Sequence, residues 1–100
     1  MTKLKIWVDD VRPAPNDYYW CKTVNSVKRL LCDAHIINCY DIVVIDLDHD
    51  AGDYGPPDYI KVLDWLEKTN RNYPIHIHSM NVVGAENMRR IIQRNGWREI

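Results

Sequence analysis

An apolar run, Asp41-Ile42-Val43-Val44-Ile45, passes straight into Asp46-Leu47-Asp48-His49-Asp50. A strand turns successive side chains to opposite faces, so Asp46, Asp48 and Asp50 share one direction for as long as the strand lasts. Like charges at that spacing repel, and a cation, a basic group or a shifted pKa has to compensate. Structural strands seldom end this way, whereas phosphate and metal sites often do.

Two other segments end in the same manner. Leu4-Lys5-Ile6-Trp7-Val8 reads as a first strand and stops on Asp9-Asp10. Ile75-His76-Ile77-His78-Ser79 alternates strictly and leads to Asn81. Tyr19-Trp20-Cys21-Lys22 is a plausible short second strand, preceded by Arg12-Pro13-Ala14-Pro15-Asn16-Asp17, which the prolines keep out of helix.

Helices fill the remaining intervals. Thr23 or Asn25 can cap one with Val24, Val27, Leu31 and Ala34 on its apolar side, ending near His35. A second starts at Asp58, with Tyr59, Val62, Leu63 and Leu66 inward, and breaks at Asn70 to Pro74. The third runs from Val83 or Gly84 to Arg94, and Asn95-Gly96 supplies its C-terminal cap. Ala51 to Pro57 is a loop by composition. About four strands and three helices in alternation specify an α/β domain with a mostly parallel sheet, one unit over residues 1–100. The crevice of such a sheet lies beyond the carboxyl ends of its strands, which gathers all three polar termini at one edge.

A formal net charge of −1 argues against general DNA binding, though not against a nucleotide or an RNA end. Three cysteines without C-x-x-C spacing read as reduced thiols, and no leader is expected from the opening residues, so a cytoplasmic location is expected. No apolar run approaches the ~20 residues of a membrane span.

Asp9-Asp10, the strand Asp41 to Leu47 and Ser79 resemble the receiver domain of response regulators. That resemblance puts the acidic pair at the magnesium site, Asp46 at the place of the phosphorylated aspartate, and Ser79 at the hydroxyl that contacts the phosphoryl group. The chain departs from the receiver pattern in lacking a lysine-bearing fifth strand, a fifth helix and a helix between the first two strands. A closer resemblance, over nearly the full length, is to the cyclic-phosphate processing receiver-like domain. Its marks are Trp7-Val8-Asp9-Asp10-Val11-Arg12-Pro13, Leu47-Asp48-His49-Asp50-Ala51-Gly52-Asp53 and His78-Ser79-Met80-Asn81-Val82-Val83-Gly84. This truncated receiver-like (flavodoxin-like) fold, in two or three layers, implies the processing of cyclic phosphates on nucleotides or RNA ends.

The residues themselves suit that chemistry. Asp9 and Asp10, with Asp48 or Asp50, offer hard oxygens to one Mg²⁺ or Mn²⁺; Asp9, Asp10 and Asp50 form the expected metal set. Asp48, His49 and His78 are the candidate catalytic groups, since a carboxylate beside a histidine fixes its tautomer. Arg12, Ser79 and Asn81 are the candidate phosphate binders, the last two at a helix N-terminus. Plainer roles compete: a loop cap for Asp10, a turn for Asp50 and Asp53, N-capping for Ser79 and Asn81, and a buried or interfacial place for His76. The rival function is a non-catalytic module that binds a phosphorylated ligand, or accepts a phosphoryl group on Asp46 and switches a partner.

Strand order 2-1-3-4 with right-handed crossovers would put every helix on one face. The bare face would then need a second copy or a protein partner, with Tyr18, Tyr19, Trp20 and Trp97 as fillers. The first crossover is short for a parallel connection, so the second strand is alternatively antiparallel or absent.

Overall fold

The computed structural model describes residues 2–50 and 58–100. The loop expected over Ala51 to Pro57, and with it Asp53, lies outside the described residues. Among the described residues four strands form one sheet: β1 (Thr2–Val8), β2 (Tyr18–Cys21), β3 (Tyr40–Leu47) and β4 (Ile75–Ile77). Their order is β2-β1-β3-β4, and every neighbouring pair is parallel. The short first crossover is therefore parallel after all. Its loop is held by side chains: Asp9 Oδ1 accepts from the Val11 and Arg12 backbone N–H groups, each at 2.9 Å. The Trp7 indole N–H donates to the Arg12 carbonyl, and Tyr18 N–H to that of Pro15.

Among the described residues four helices pack on the sheet, one more than expected: α1 (Val24–Cys32), α2 (Ala34–Cys39), α3 (Ile60–Lys68) and α4 (Val82–Asn95). The periodicity ran through Ala34, but Asp33 interrupts it with an extended backbone (φ −74°, ψ 115°). Its carboxylate accepts from the His35 and Ile36 N–H groups, so Asp33 ends α1 and caps α2. The start of α1 is fixed by a capping box between Thr23 and Ser26. Gly96, at φ 66°, closes α4 in the left-handed conformation the Asn-Gly pair signalled.

A single core lies between sheet and helices. Ile6, Val8, Ile45, Leu47, Ile75 and Ile77 supply it from the strands. Val27 and Leu31 of α1, Val62, Leu63 and Leu66 of α3, and Met88 and Ile92 of α4 supply it from above. The layers are thus two: a sheet and one helical layer.

The opposite face differs from the bare apolar surface expected. It presents Lys5, Trp7, Tyr18, Trp20, Val44, Asp46 and His76, the strand positions that alternate with the core. The rings tile it: Trp7 meets Tyr18 edge-on at 5.8 Å, and Lys5 and Lys22 lie over Tyr18 and Trp20. Val44 is already buried without any partner. Two of the expected fillers lie elsewhere. Tyr19 borders α1 beside Ser26 and Arg29, and Trp97 packs against the core. Beside β4, Arg98 to Ile100 runs parallel to it through bonds to Ile75, along the edge where a receiver carries its fifth strand. Among the described residues no helix is long and apolar enough to cross a membrane.

Candidate functional site

Three strand ends converge at one edge. The hydrogen-bond ladder runs one step past the strands: Asp48 N–H donates to the Val8 carbonyl and His78 N–H to that of Leu47, both at 2.9 Å. Asp48 therefore sits beside Asp9 and Asp10. One carboxylate oxygen from each of the three lies within 4.8 Å of the others. The expected set had Asp50 in the third place; the structure brings Asp48 there and sets Asp50 with His49 and Asp58 instead. Asp46 also falls apart from this group. It pairs with Trp7 in register, two residues back in β3, so the strand geometry gives Asp48 the place beside the acidic pair that the receiver resemblance had given Asp46.

The three acids differ in environment. Asp9 is 1% exposed. Burial works to raise its carboxyl, yet the Arg12 and Val11 N–H groups, and then His78, outweigh it and hold the group below the usual range. Asp48, 7% exposed, goes the other way. Burial pushes its carboxyl up, the Asp9 charge adds to that, and hydrogen bonds from His49 N–H and Ser79 only partly offset both. Asp10 is half-buried and has no hydrogen-bond or ion-pair partner among the described residues. Arg12 Nε, 3.6 Å from Asp9 Oδ2, is the nearest cation. Excess negative charge, hard oxygen donors and a carboxylate without a partner fit a divalent cation of the Mg²⁺ or Mn²⁺ type.

His78 joins two buried acids. Its Nδ1 lies 2.5 Å from Asp46 Oδ1 and its Nε2 2.9 Å from Asp9 Oδ2. The Trp7 ring stacks flat on the imidazole, with centroids 3.8 Å apart and planes 3° apart. Arg12 Nη1 donates to the His78 carbonyl at 3.0 Å. Both ring nitrogens are thus committed, which fixes His78 in place and orients Asp9.

His49 is held differently. Its Nδ1 faces Asp50 Oδ1 at 2.8 Å, while Nε2 has no partner among the described residues. The hydrogen bond from His49, and then that from Asn81, holds the Asp50 carboxyl low. Behind the ring lies Gly84, in the first turn of α4: a Cβ there would sit 2.3 Å from His49 Cγ. Only glycine lets the imidazole lie on the helix backbone. Asn81 caps α4 by accepting from Gly84 N–H at 2.9 Å, and its amide reaches Asp50 at 3.2 Å. Ser79 accepts from Asn81 N–H and bonds Asp48. The capping role of these two residues is therefore real, and it anchors the acids as well.

Sequence reasoning passed over several parts. Trp7 looked like an ordinary strand residue, though its alternation away from the core side was the available signal. Asp58 was read only as a helix start. Tyr59, fully buried, bonds the Lys22 carbonyl through its hydroxyl and the His49 carbonyl through its N–H. Gly84 carried a signal, because glycine in a first helical turn needs a reason. His76 lies away from the edge, its Nδ1 against the Ile100 carbonyl.

A parallel sheet in the order β2-β1-β3-β4, with an acidic pair after β1, a third acid after β3 and a hydroxyl after β4, defines a receiver-type domain. Within that class, residues 4–94 match the cyclic-phosphate processing receiver domain, and the chain belongs to that family. No curated protein and no solved structure matches it.

Proposed function

We propose that the protein is a metal-dependent phosphoesterase that opens cyclic phosphates of nucleotides or RNA ends. The observation that carries this is the Asp9, Asp10 and Asp48 cluster with Asp10 left without a partner. Those three carboxylates would hold the cation, which supplies charge neutralisation at the phosphate. His49 is the proton carrier: Asp50 fixes its Nδ1, and its Nε2 has no partner among the described residues. It takes the proton of the attacking water as the water oxygen bonds phosphorus. It returns that proton to the ribose oxygen released when the ring P–O bond breaks. Asp48 and His78 complete the expected catalytic set, His78 as a positioning residue, since both its nitrogens already hold Asp46 and Asp9. Arg12 keeps further N–H groups for a phosphate oxygen, and Ser79 and Asn81 shape the α4 end of the crevice.

The test is turnover of 2′,3′-cyclic nucleotides and cyclic-phosphate RNA ends with Mg²⁺ and with Mn²⁺. Ring opening that disappears in both Asp48→Ala and His49→Ala supports the reading; activity that survives the two together removes it. A second reading has its own observation: Asp48, beside the acidic pair and bonded to Ser79, also suits a phosphoryl acceptor. Acyl-phosphate donors would then add a phosphoryl group at Asp48, and unmodified protein rejects that switch.

The partners proposed are a small phosphorylated ligand or an RNA end at the crevice. A second copy or partner protein would have to meet the tiled sheet face, and sedimentation at high micromolar concentration decides it. A cytoplasmic place suits three thiols outside any disulfide.

A further inference from the structure

Seven large hydrophobic side chains are exposed among the described residues, and four of them follow strand ends at one sheet edge: Val11 in the loop after β1, Met80 in the loop after β4, and Val82 and Val83 in the first turn of α4. They are 75%, 84%, 79% and 71% exposed. Each is a sequence neighbour of a site residue. Val11 follows Asp10, and its N–H holds Asp9 Oδ1 at 2.9 Å. Met80 lies between Ser79 and Asn81, and Val82 and Val83 open α4 just ahead of the glycine that seats His49. Arg12 ties the two loops together through the His78 carbonyl at 3.0 Å. An apolar rim therefore flanks an acidic crevice on both sides.

Such a concentration of exposed apolar surface marks a binding edge. From it we infer that the rim seats the base of the nucleotide whose cyclic phosphate enters the crevice. This rests on the phosphoesterase reading and names the part of the substrate that it leaves open. The four side chains of the rim are uncharged, whereas the crevice beside them is acidic. A ligand with its phosphate and cation at the crevice and an uncharged, flat, apolar group outside meets both surfaces. In a nucleoside 2′,3′-cyclic phosphate the base is the one large group beyond the ribose. The exposed acids Asp50 and Asp58 make the edge unfavourable for an anionic lipid surface. Aliphatic side chains offer contact but no hydrogen bonds, so the base is held without being read. Purines bind more tightly than pyrimidines, by area alone.

The experiment compares two ligands, an adenosine 2′,3′-cyclic phosphate and a base-free glycerol 1,2-cyclic phosphate, each titrated with Mg²⁺ while Met80 and Val methyl signals are followed by NMR. The base-bearing ligand is expected to bind about tenfold more tightly and to shift the Met80, Val82 and Val83 methyls. In the variant Met80→Ser with Val83→Ser, that affinity ratio falls towards one. Equal affinities with silent rim methyls overturn the inference and leave the phosphoesterase reading standing. If neither ligand shifts resonances around His78, the reading itself fails and the rim assignment with it. A concentration-dependent methyl shift without ligand, abolished by the double substitution, would give the rim to a second copy and overturn the inference.

Discussion

Gly84→Ala is the substitution whose outcome the structure fixes most tightly. The added Cβ would lie 2.3 Å from His49 Cγ, 2.5 Å from Cδ2 and 2.6 Å from Nδ1. Non-bonded carbons rest at about 3.5–4.0 Å, so the ring has to retreat by roughly 1 Å or more. Because Cγ is the root of the ring, the retreat requires rotation about χ1, and the Asp50 bond at 2.8 Å is lost with it. Overpacking of this kind costs about 1–3 kcal/mol. Against that, alanine in a helix gains about 0.5–1 kcal/mol over glycine. In a His49→Ala background the three nearest obstructions are gone and only the gain remains. The helix gain is common to both backgrounds and cancels, so a double-mutant cycle should show a coupling of roughly 1–3 kcal/mol, the overpacking cost alone. Urea unfolding of the four proteins measures it, and a 1 kcal/mol change moves Tm by about 4–8 °C in a chain of this size. Gly84→Ala should also lower ring-opening activity as His49→Ala does. If alanine changes stability equally in both backgrounds, within about 0.5 kcal/mol, the close packing of His49 on α4 is refuted.

The other expectations are simpler. Asp48→Asn removes a buried like charge while keeping an acceptor for His49 N–H, so it should stabilise the protein at pH 7 by about 1 kcal/mol in thermal melts without added cation, at the expense of divalent binding. Asp9 has a folded pKa below its unfolded value, so its contribution is complete above about pH 4 and is lost as pH falls through the folded value. Asp9→Asn should accordingly cost stability at pH 7 in denaturant melts, and the gap to wild type should close in acid; a gap that widens there would reverse the sign. For the thiols, burial pushes Cys21 up to about 11, while Cys32 and Cys39 are exposed. A disulfide reagent at pH 8 should titrate two thiols quickly and the third only on unfolding.

Much of the fold was legible because its signals are periodic. Strict alternation in Ile75 to Ile77 and apolar spacing in Val62, Leu63 and Leu66 depend on burial on one side, and the structure buries those residues. The split at Asp33 was hidden, because a carboxylate that bonds the backbone two and three residues ahead leaves no mark on hydrophobic spacing. The convergence of Asp9, Asp48 and His78 followed from the strand-end rule alone. Which acid joins which partner did not, since alternation puts Asp46 and Asp48 on one side without saying that β3 ends between them, at Leu47. Thus Asp46 and Asp48 looked alike in sequence, but one anchors His78 and the other meets the acidic pair. The make-up of the sheet's back face was hidden for a related reason. Periodicity gave Tyr18 and Trp20 to that face but not their neighbours, which are lysines of the same chain lying over both rings, with Trp7 stacked on His78 beside them.

The most direct test of the phosphoesterase assignment is ³¹P NMR of an adenosine 2′,3′-cyclic phosphate incubated with the protein and Mg²⁺ or Mn²⁺. The account predicts conversion of the cyclic signal to a monoester, dependent on the cation and absent in Asp48→Ala. A cyclic signal that persists with both cations, or conversion that Asp48→Ala leaves unchanged, contradicts it.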